Sequence, residues 1–197
     1  MIEFQSIDER PVIVAIAGSN GAGKSTFYNA HIKPAGLRFI NADILGFGLG
    51  LEPYAAVRMA DALRRQMVAS RESFAFETVF SDPVGEKVRF LEQAAELGYN
   101  VILCFIGIAS PDISEHRVAM RVTQGGHDVP TEKLQSRFPR TLENLKRAII
   151  ALPRVLIFDN SDLRYPYRKI AAFEHGQSID LVQPVPDWFQ FVLSNES

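Results

Sequence analysis

Apolar runs alternate with amphipathic segments along most of this chain. Five short runs rich in β-branched and aromatic residues predict strands, and they are Val12–Ala17, Arg38–Asn41, Phe74–Glu77, Asn100–Ile106 and Val155–Phe158. A run without polar alternation, such as the first, is typical of a strand buried on both faces. Because helical segments separate the strands, the order predicts an α/β fold: a P-loop kinase-like parallel sheet of about five strands with helices on both faces.

Two of the intervening segments predict helices by the spacing of their apolar residues. Segment Pro53–Ser70 repeats small and large apolar residues at helical intervals, and Pro53 suits a first helical turn. Segment Pro83–Leu97 predicts a second helix, which Gly98 would end as a C-terminal glycine cap.

The C-terminal part of the chain predicts an antiparallel strand pair. Segments Lys169–Glu174 and Ser178–Val182 flank His175-Gly176-Gln177, which indicates a β-hairpin. No internal repeat, low-complexity tract or linker interrupts the pattern, so we expect residues 1–197 to form a single kinase domain.

Composition narrows the class of protein without identifying it. The 197 residues are 47% hydrophobic and 22% charged, as in ordinary globular proteins. A net charge of −2 gives no general attraction to nucleic acid or anionic membranes. The one cysteine, Cys104, lies in an apolar run and is expected to be a buried, inert thiol. No signal peptide or transmembrane run is recognisable, which favours a cytoplasmic location.

The segment after the first predicted strand carries the most specific motif. Gly18-Ser19-Asn20-Gly21-Ala22-Gly23-Lys24-Ser25 fits the phosphate-binding pattern G-x-x-x-x-G-K-[ST]. Glycines let backbone N–H groups converge on a phosphate, Lys24 supplies a positive charge, and the Ser25 hydroxyl is a ligand for Mg²⁺. A helix beginning at about Lys24 would direct its positive dipole end at the same anion. A glycine-rich turn that matches by chance is the alternative. The strand before it and the predicted helix after it favour nucleotide binding by Gly18, Ser19, Asn20, Gly21, Ala22, Gly23, Lys24, Ser25 and Thr26.

Two acidic residues stand at or just beyond the ends of predicted strands. Asp43 closes Asn41-Ala42-Asp43, and Glu77 closes the third predicted strand with Thr78 beside it. In a parallel sheet, these positions lie at the carboxyl ends of the strands, where the P-loop also ends and where ligands bind. A phosphotransferase needs a carboxylate to take the proton of the acceptor hydroxyl and polar groups to orient the acceptor. The alternatives are a helix N-cap for Asp43 and a solvent-facing carboxylate for Glu77.

A basic cluster predicts a helical lid over residues 112–140. Arg117 and Arg121 fall on one helix face, Gly125-Gly126-His127 breaks the chain, and a new helix starts near Pro130 with neighbouring Arg137 and Arg140. Pro139 is expected to kink that helix. Two short arginine-bearing helices around a glycine hinge could close over a transferring phosphoryl group. The alternative is a solvated helix pair whose arginines meet Glu115, Glu132 and Glu143.

Polar residues also follow the last predicted strand, in Phe158-Asp159-Asn160-Ser161. Amides and hydroxyls at this place in such a sheet often contact a purine base, whereas an Asx turn is the structural alternative. The sequence leaves both open.

In this order, the segments resemble the zeta-toxin family of P-loop kinases, particularly its shorter chromosomal members. The similarity runs from about Val12 to Glu174. The sequences that carry it are Asn41-Ala42-Asp43, Phe76-Glu77-Thr78, the lid sequence RVTQGGHDVP at 121–130, Asn144-Leu145 and the terminal Phe158-Asp159-Asn160-Ser161.

The resemblance implies an ATP-dependent kinase whose well-known relatives phosphorylate the 3′-hydroxyl of the amino sugar in UDP-N-acetylglucosamine. It implies that Lys24 and Ser25 hold the phosphates and Mg²⁺, that Asp43 is the base, and that Glu77 and Thr78 orient the acceptor. Arginines of the lid would hold the γ-phosphate. Among the candidates we assign Arg121 and Arg137 to catalysis and Arg140 to the acceptor.

Other functions remain open beside this one. The chain could phosphorylate another small metabolite, or it could be an ATPase or switch that acts on a macromolecule. A switch typically holds the Mg²⁺ shell with an acidic residue after an apolar strand, and Val101–Ile106 is followed by Gly107-Ile108 instead. An antitoxin partner is possible, although no residue indicates one.

Overall fold

A computed structural model describes residues 7, 9–123 and 129–194. Within these residues, seven strands form one mixed sheet in the order β2-β3-β1-β4-β5-β6-β7. The strands are β1 (Val12–Ala17), β2 (Arg38–Ile40), β3 (Phe74–Thr78), β4 (Asn100–Gly107), β5 (Arg154–Asp159), β6 (Arg168–Glu174) and β7 (Gln177–Leu181). Strands β1 to β5 are parallel, which confirms the predicted α/β class and its five-stranded parallel sheet.

The predicted hairpin is β6 and β7, and it extends the main sheet. Strand β6 pairs antiparallel with both β5 and β7. The turn residues His175 and Gly176 both have positive φ, 48° and 78°, as the two central residues of a type I′ turn require.

Seven α-helices connect or follow the strands in the described part of the chain. They are α1 (Lys24–Phe27), α2 (Ala42–Leu49), α3 (Pro53–Ala69), α4 (Glu86–Glu96), α5 (Pro111–Thr123), α6 (Thr131–Ala151) and α7 (Asp187–Leu193). Helix α1 continues as a π-helical turn over Tyr28–Ile32 and a 3₁₀ turn over Lys33–Ala35. None of the described helices has the length and apolarity needed to cross a bilayer.

Strand β1 lies between two apolar cores, as its unbroken hydrophobic run predicts. Its side chains alternate between the two faces of the sheet, because successive residues of a strand point in opposite directions. Ile13, Ala15 and Ala17 face a core shared with α3, α4, α6 and α7. Val12, Val14 and Ile16 face a second core that contains Phe27 and Ile32. Cys104 belongs to this second core, and burial raises the pKa of its thiol.

The second lid helix is longer than the sequence predicts. Helix α6 runs through Pro139 as one 21-residue helix, because its C-terminal half is held in the core by Leu142, Leu145, Ala148 and Ile149. The prediction of two short lid helices is therefore wrong for α6. Only its N-terminal half lies beside the cleft described below. The predicted hinge Gly125-Gly126-His127 lies outside the described residues.

Candidate active site

A cleft of about 760 Å³ opens beside the P-loop, between α3 and the residues of α5 and α6. Its lining includes most of the residues that the sequence singles out: Asn20, Gly21, Gly23, Lys24, Ser25, Thr26, Asp43, Glu77, Thr78, Arg121 and Arg137. The other predicted site residues, Gly18, Ser19, Ala22 and Arg140, are not part of this lining.

Two P-loop glycines stand where no side chain fits. Gly18 has φ 145°, and a Cβ there would lie 2.2 Å from the carbonyl oxygen of Ile106. Gly23 has φ 94°, and its Cβ would lie 2.7 Å from Asn160 Nδ2 and 2.8 Å from Tyr167 Oη. The loop is therefore pressed against β4 on one side and against residues after β5 on the other.

Helix α5 holds the first half of the loop by its carbonyl groups. The hydroxyl of Ser114 donates to the carbonyl oxygen of Asn20 at 2.6 Å. The Arg117 guanidinium donates to the carbonyl oxygen of Gly21 at 3.4 Å and to that of Asn160 at 2.9 Å. The predicted lid helix is thus tied directly to the loop that it would cover.

Residues after β5 hold the second half in the same way. Asn160 Nδ2 donates to the carbonyl oxygen of Ala22 at 2.8 Å, and Tyr167 Oη donates to that of Gly23 at 2.9 Å. In a trans peptide the C=O and N–H groups point in opposite directions. Fixing the carbonyls of Ala22 and Gly23 against these side chains therefore turns the N–H groups of Gly23 and Lys24 to the other side, whereas the N–H of Ala22 donates to the carbonyl oxygen of Ser19 within the loop.

Lys24 is buried, with 5% of its surface exposed. Its Nζ donates to the carbonyl oxygen of Ser19 at 2.8 Å and lies 3.8 Å from Glu77 Oε1. Burial lowers the pKa of Lys24, and the positive charge of Arg121 adds to that effect, whereas Glu77 and Asp43 oppose it.

Glu77 joins the P-loop to the start of α2. Its Oε2 accepts hydrogen bonds from the Ser25 hydroxyl at 2.7 Å and from Asn41 Nδ2 at 3.0 Å. The side chain is 16% exposed, so the alternative of a solvent-facing carboxylate is wrong. Beside it, Thr78 Oγ1 accepts from the backbone N–H of Phe80 at 3.1 Å.

Asn41, which the sequence analysis did not treat as a cap, begins helix α2. Its Oδ1 accepts from the backbone N–H groups of Asp43 at 2.8 Å and Ile44 at 3.1 Å. The alternative of an N-cap role for Asp43 is therefore wrong. Asp43 lies in the first turn of α2, and its exposed side chain lines the cleft.

The predicted lid arginines differ in their surroundings. Arg117 is held by backbone oxygens, as described above, and burial lowers its pKa. Arg121 and Arg137 line the cleft. Arg140 donates to the carbonyl oxygen of Ser136 on its own helix at 3.0 Å. Helices α5 and α6 are joined by Gln135 Nε2, which donates to Glu115 Oε1 at 3.0 Å.

The residues after β5 form the turn that was one of two sequence interpretations. Asp159 Oδ1 accepts from the backbone N–H of Ser161 at 3.2 Å, which is an Asx turn. Asn160 is 2% exposed and its amide is engaged with the P-loop. This burial leaves Asn160 in a supporting position beneath the loop.

A charged cluster on the α3 side of the cleft was not found from the sequence. Arg64 of α3 is 5% exposed, and Lys87 of α4 is partly buried; both line the cleft. Asp61 forms ion pairs with both of them. The sequence does hold one indication of this cluster: Arg64 lies at a position on the buried stripe of α3, between Ala60 and Met67.

The sequence matches the model of one known protein family. The profile of the zeta-toxin family matches residues 53–169, more than half of the chain. No curated protein has a matching sequence.

Several solved structures share the fold at low sequence identity. The AvrRxo1-ORF1:AvrRxo1-ORF2 complex with sulphate ions is 18% identical, with a TM-score of 0.73 over 98% of this chain and 66% of that chain. The same complex with ATP gives a TM-score of 0.69 at 18% identity, over 95% of this chain and 64% of that one. A structure of the PezAT chromosomal toxin-antitoxin system of Streptococcus pneumoniae gives 0.61 at 17% identity, over 82% and 72%. The chain thus spans about two thirds of the length of the AvrRxo1 chains it resembles.

Proposed function

The chain belongs to the zeta-toxin family, and we propose that it transfers the γ-phosphoryl group of ATP to a hydroxyl group of a small molecule. The observation that carries this proposal is the meeting of two kinds of group in one cleft. Lys24 and other residues of the P-loop line this cleft together with the exposed carboxylate of Asp43, whose charge acts on Lys24. Since one similar structure was solved with ATP, we take ATP as the donor.

The residues of the P-loop fit a triphosphate and its metal ion. Side chains hold the carbonyl groups of Asn20 and Ala22, and Lys24 Nζ reaches back to the carbonyl oxygen of Ser19 near the start of the loop. The Ser25 hydroxyl donates its proton to Glu77, so lone pairs of the oxygen remain available to a cation. Hydroxyl and carboxylate oxygens are ligands that Mg²⁺ prefers. Mg²⁺, when bound, would neutralise negative charge on the β- and γ-phosphate oxygens.

On the acceptor side, we assign the base to Asp43. Its carboxylate takes the proton of the acceptor hydroxyl as the hydroxyl oxygen forms a bond to the γ-phosphorus. The bond from that phosphorus to the β,γ-bridging oxygen breaks, and ADP leaves with the electron pair. Arg121 and Arg137 would stabilise the charge on the transferring group.

Glu77 takes a wider role in this proposal than the sequence suggests. The sequence analysis gives Glu77 and Thr78 to the acceptor, and Thr78 is held at the cleft lining by Phe80 N. The contact between Glu77 and Ser25 adds the metal side of the reaction. We therefore propose that Glu77 positions the P-loop serine for Mg²⁺ and, through Asn41, fixes the start of the helix that carries Asp43.

The first acceptors to test are nucleotide sugars, with UDP-N-acetylglucosamine among them, because well-known members of the family act on that compound. Arg140, whose guanidinium donates to its own helix, keeps its proposed acceptor role only if it rotates toward the cleft. A protein partner is also worth testing, since PezAT is a toxin-antitoxin system.

An ATPase or switch is the second candidate, and one contact favours it. Glu77 lies at the C-terminal end of β3, the neighbour of β1, and accepts from Ser25, as an acidic residue in the Mg²⁺ shell of a switch would. The lack of a carboxylate after β4 therefore does not argue against a switch.

A phosphotransfer screen separates the two functions. The protein is incubated with labelled ATP and with nucleotide sugars, nucleosides or free sugars, and products are resolved by chromatography. A kinase yields ADP and an equal amount of a new phosphorylated compound. Release of inorganic phosphate alone, at a rate independent of every acceptor, would favour the switch.

A further inference from the structure

Four residues that follow β3 in sequence all line the cleft, and we call them the β3 loop: Val79, Phe80, Ser81 and Asp82. Phe80 is buried and has a φ of 63°, a left-handed conformation that a bulky residue rarely adopts. Such a conformation persists only where the surrounding structure imposes it, and residues of this kind are frequent at binding and active sites. The β3 loop is therefore held in its shape by contacts from elsewhere in the fold.

Helix α6 supplies those contacts through two polar side chains. Asn144 Nδ2 donates to the carbonyl oxygen of Phe80 at 3.0 Å and to that of Asp82 at 2.8 Å. The Thr141 hydroxyl lies 3.1 Å from the carbonyl oxygen of Val79. Three of the four carbonyl groups of the β3 loop are thus hydrogen-bonded to one helix.

Packing alone does not account for these two polar side chains. Thr141 is 0% exposed and Asn144 is 1% exposed, and both lie among the core-facing residues of α6 with Leu142 and Leu145. A buried polar side chain is costly unless its hydrogen bonds are made. An apolar residue of similar volume would fill the same space, but it would leave the carbonyl groups of the β3 loop without donors.

Helix α6 also carries two basic residues of the cleft. Lys133 and Arg137 line the cleft from its N-terminal half, and the Thr141 hydroxyl lies 3.0 Å from the carbonyl oxygen of Arg137. Because α6 runs through Pro139 as one helix, it fixes the β3 loop relative to Arg137. The residue proposed to stabilise the transferring phosphoryl group and the β3 loop therefore share one support.

Ser81 is the loop residue that the hydrogen bonds from Thr141 and Asn144 leave out. The peptide between Phe80 and Ser81 directs its carbonyl oxygen to Asn144, so its N–H group, which belongs to Ser81, points away from Asn144. Ser81 is partly exposed and lines the cleft. A serine hydroxyl both donates and accepts hydrogen bonds, which suits it to a ligand that carries hydroxyl groups.

We propose that the Ser81 hydroxyl binds the acceptor and that Asn144 is a positioning residue, which acts through the β3 loop by fixing Ser81. This inference rests on the proposed kinase function and adds to it two residues that the P-loop motif and the acidic residues do not indicate. Asn144 is not part of the cleft lining, so its effect on the reaction is indirect. The effect is still large, because misplacing a reactant by about 1 Å can cost about 100-fold in rate.

Steady-state kinetics separate the two roles. Ser81→Ala removes one hydrogen bond to the acceptor, so KM for the acceptor should rise about 2- to 12-fold while KM for ATP stays unchanged. Asn144→Asp keeps the shape of the side chain but replaces the Nδ2 donor by an oxygen that faces the loop carbonyls. For Asn144→Asp we expect kcat to fall by roughly 100-fold, again with KM for ATP near the wild-type value.

Tyr99→Phe is the matched control for the loss of a buried hydrogen bond. Tyr99 is buried outside the cleft lining, and its hydroxyl lies 3.1 Å from the carbonyl oxygens of Met67 and Glu72. This variant should lower stability and leave kcat and both KM values of the folded protein unchanged.

Thr141→Val keeps the test decisive should Asn144→Asp fail to fold, because it removes a single hydroxyl and nearly keeps the shape of the side chain. It should lower kcat in the same direction as Asn144→Asp, by a smaller factor. If the α6 variants that fold match Tyr99→Phe in kcat and in both KM values, the buried polar pair only stabilises the fold and the proposal is wrong.

A binding measurement distinguishes this inference from the kinase function. With a non-hydrolysable ATP analogue bound, UDP-N-acetylglucosamine, or the acceptor that the phosphotransfer screen identifies in its place, is titrated into the protein by calorimetry. Binding that Ser81→Ala weakens, without transfer in the wild type, would support the β3 loop as a binding element and refute the kinase. Transfer in the wild type together with binding that Ser81→Ala leaves unchanged would refute the role of Ser81 and leave the kinase in place. No binding of either compound would overturn both proposals.

Discussion

At the start of α2, Asn41 caps the helix, and the nearby Asp43 places its carboxylate in the cleft. Asn41 satisfies the backbone N–H groups of the first turn with its Oδ1 and reaches Glu77 with its Nδ2. Because Asn41 is the cap, the carboxylate of Asp43 is not consumed by the helix and lines the cleft. The short side chain of Asn41 thus leaves the acidic group two residues later available for chemistry.

Asp43→Asn tests the proposed base at minimal structural cost. The amide keeps the size of the side chain but cannot accept a proton, so phosphotransfer should fall by roughly 100- to 10,000-fold. ATP affinity, measured by calorimetry, should stay nearly unchanged. Transfer at close to the wild-type rate would show that another group is the base.

Lys24 predicts a pH dependence of ATP use. Burial lowers its pKa below the ordinary value of 10.5. As pH rises through the lowered pKa, Lys24 loses the charge that attracts the phosphates. Since kcat/KM reports the free enzyme, kcat/KM for ATP should decline at a pH below 10.5. A profile that stays level up to that pH would contradict this expectation.

At the scale of elements, the P-loop depends on residues far from it in sequence. Its carbonyl groups are held by α5 on one side and by the segment after β5 on the other. A movement of α5 would therefore change the hydrogen bonds of the loop itself. This connection gives the proposed lid a physical route to the phosphate site.

Tyr167→Phe removes one of these hydrogen bonds and leaves the ring in place. The ring packs 5.3 Å from that of Phe27, so the fold should persist. Losing a hydrogen bond of this kind costs roughly 0.5–1.5 kcal/mol, which corresponds to a KM for ATP about 2- to 12-fold higher. Tyr165→Phe is the control, because Tyr165 is 70% exposed. Equal KM values for both variants would show that Tyr167 does not support the loop.

At the scale of the whole molecule, the sequence predicts what local patterns encode. Short runs rich in apolar residues located all five parallel strands, and turn residues located the hairpin. Helix α2 was missed because it contains Gly46 and Gly48 and buries no residue, so it shows no apolar stripe. Helix α7 was missed because seven residues are too few to show helical periodicity.

The long-range contacts that hold the candidate site in place were harder to predict than its sequence motifs. Lys24, Asp43 and Glu77 stand beside strand ends or in a known pattern, so their placement could be anticipated. The contact of Asn160 with Ala22 joins residues 138 positions apart, and a local sequence pattern cannot predict such a contact. Arg64 and Lys87 likewise meet only because α3 and α4 pack on the same face of the sheet.

Gly107, at the end of β4, connects helix α7 to the candidate site. A Cβ at Gly107 would lie 2.1 Å from the ring of Trp188, which is buried in α7 and donates from Nε1 to Asp159 Oδ1 at 3.2 Å. Gly107→Ala should therefore displace the ring and destabilise the protein by roughly 1–3 kcal/mol. Trp188 is the one tryptophan of the chain, so its fluorescence in a urea titration reports both effects.

The same substitution should weaken ATP binding, although Gly107 is not part of the cleft lining. Asp159 precedes Asn160, whose amide holds the carbonyl of Ala22, so a displaced Trp188 loosens the turn that positions the loop. Gly48→Ala is the control, because nothing lies within 4 Å of a Cβ there, and it should stabilise α2 slightly. If Gly107→Ala unfolds at the wild-type urea concentration and binds ATP as tightly, then α7 contributes neither to stability nor to the site.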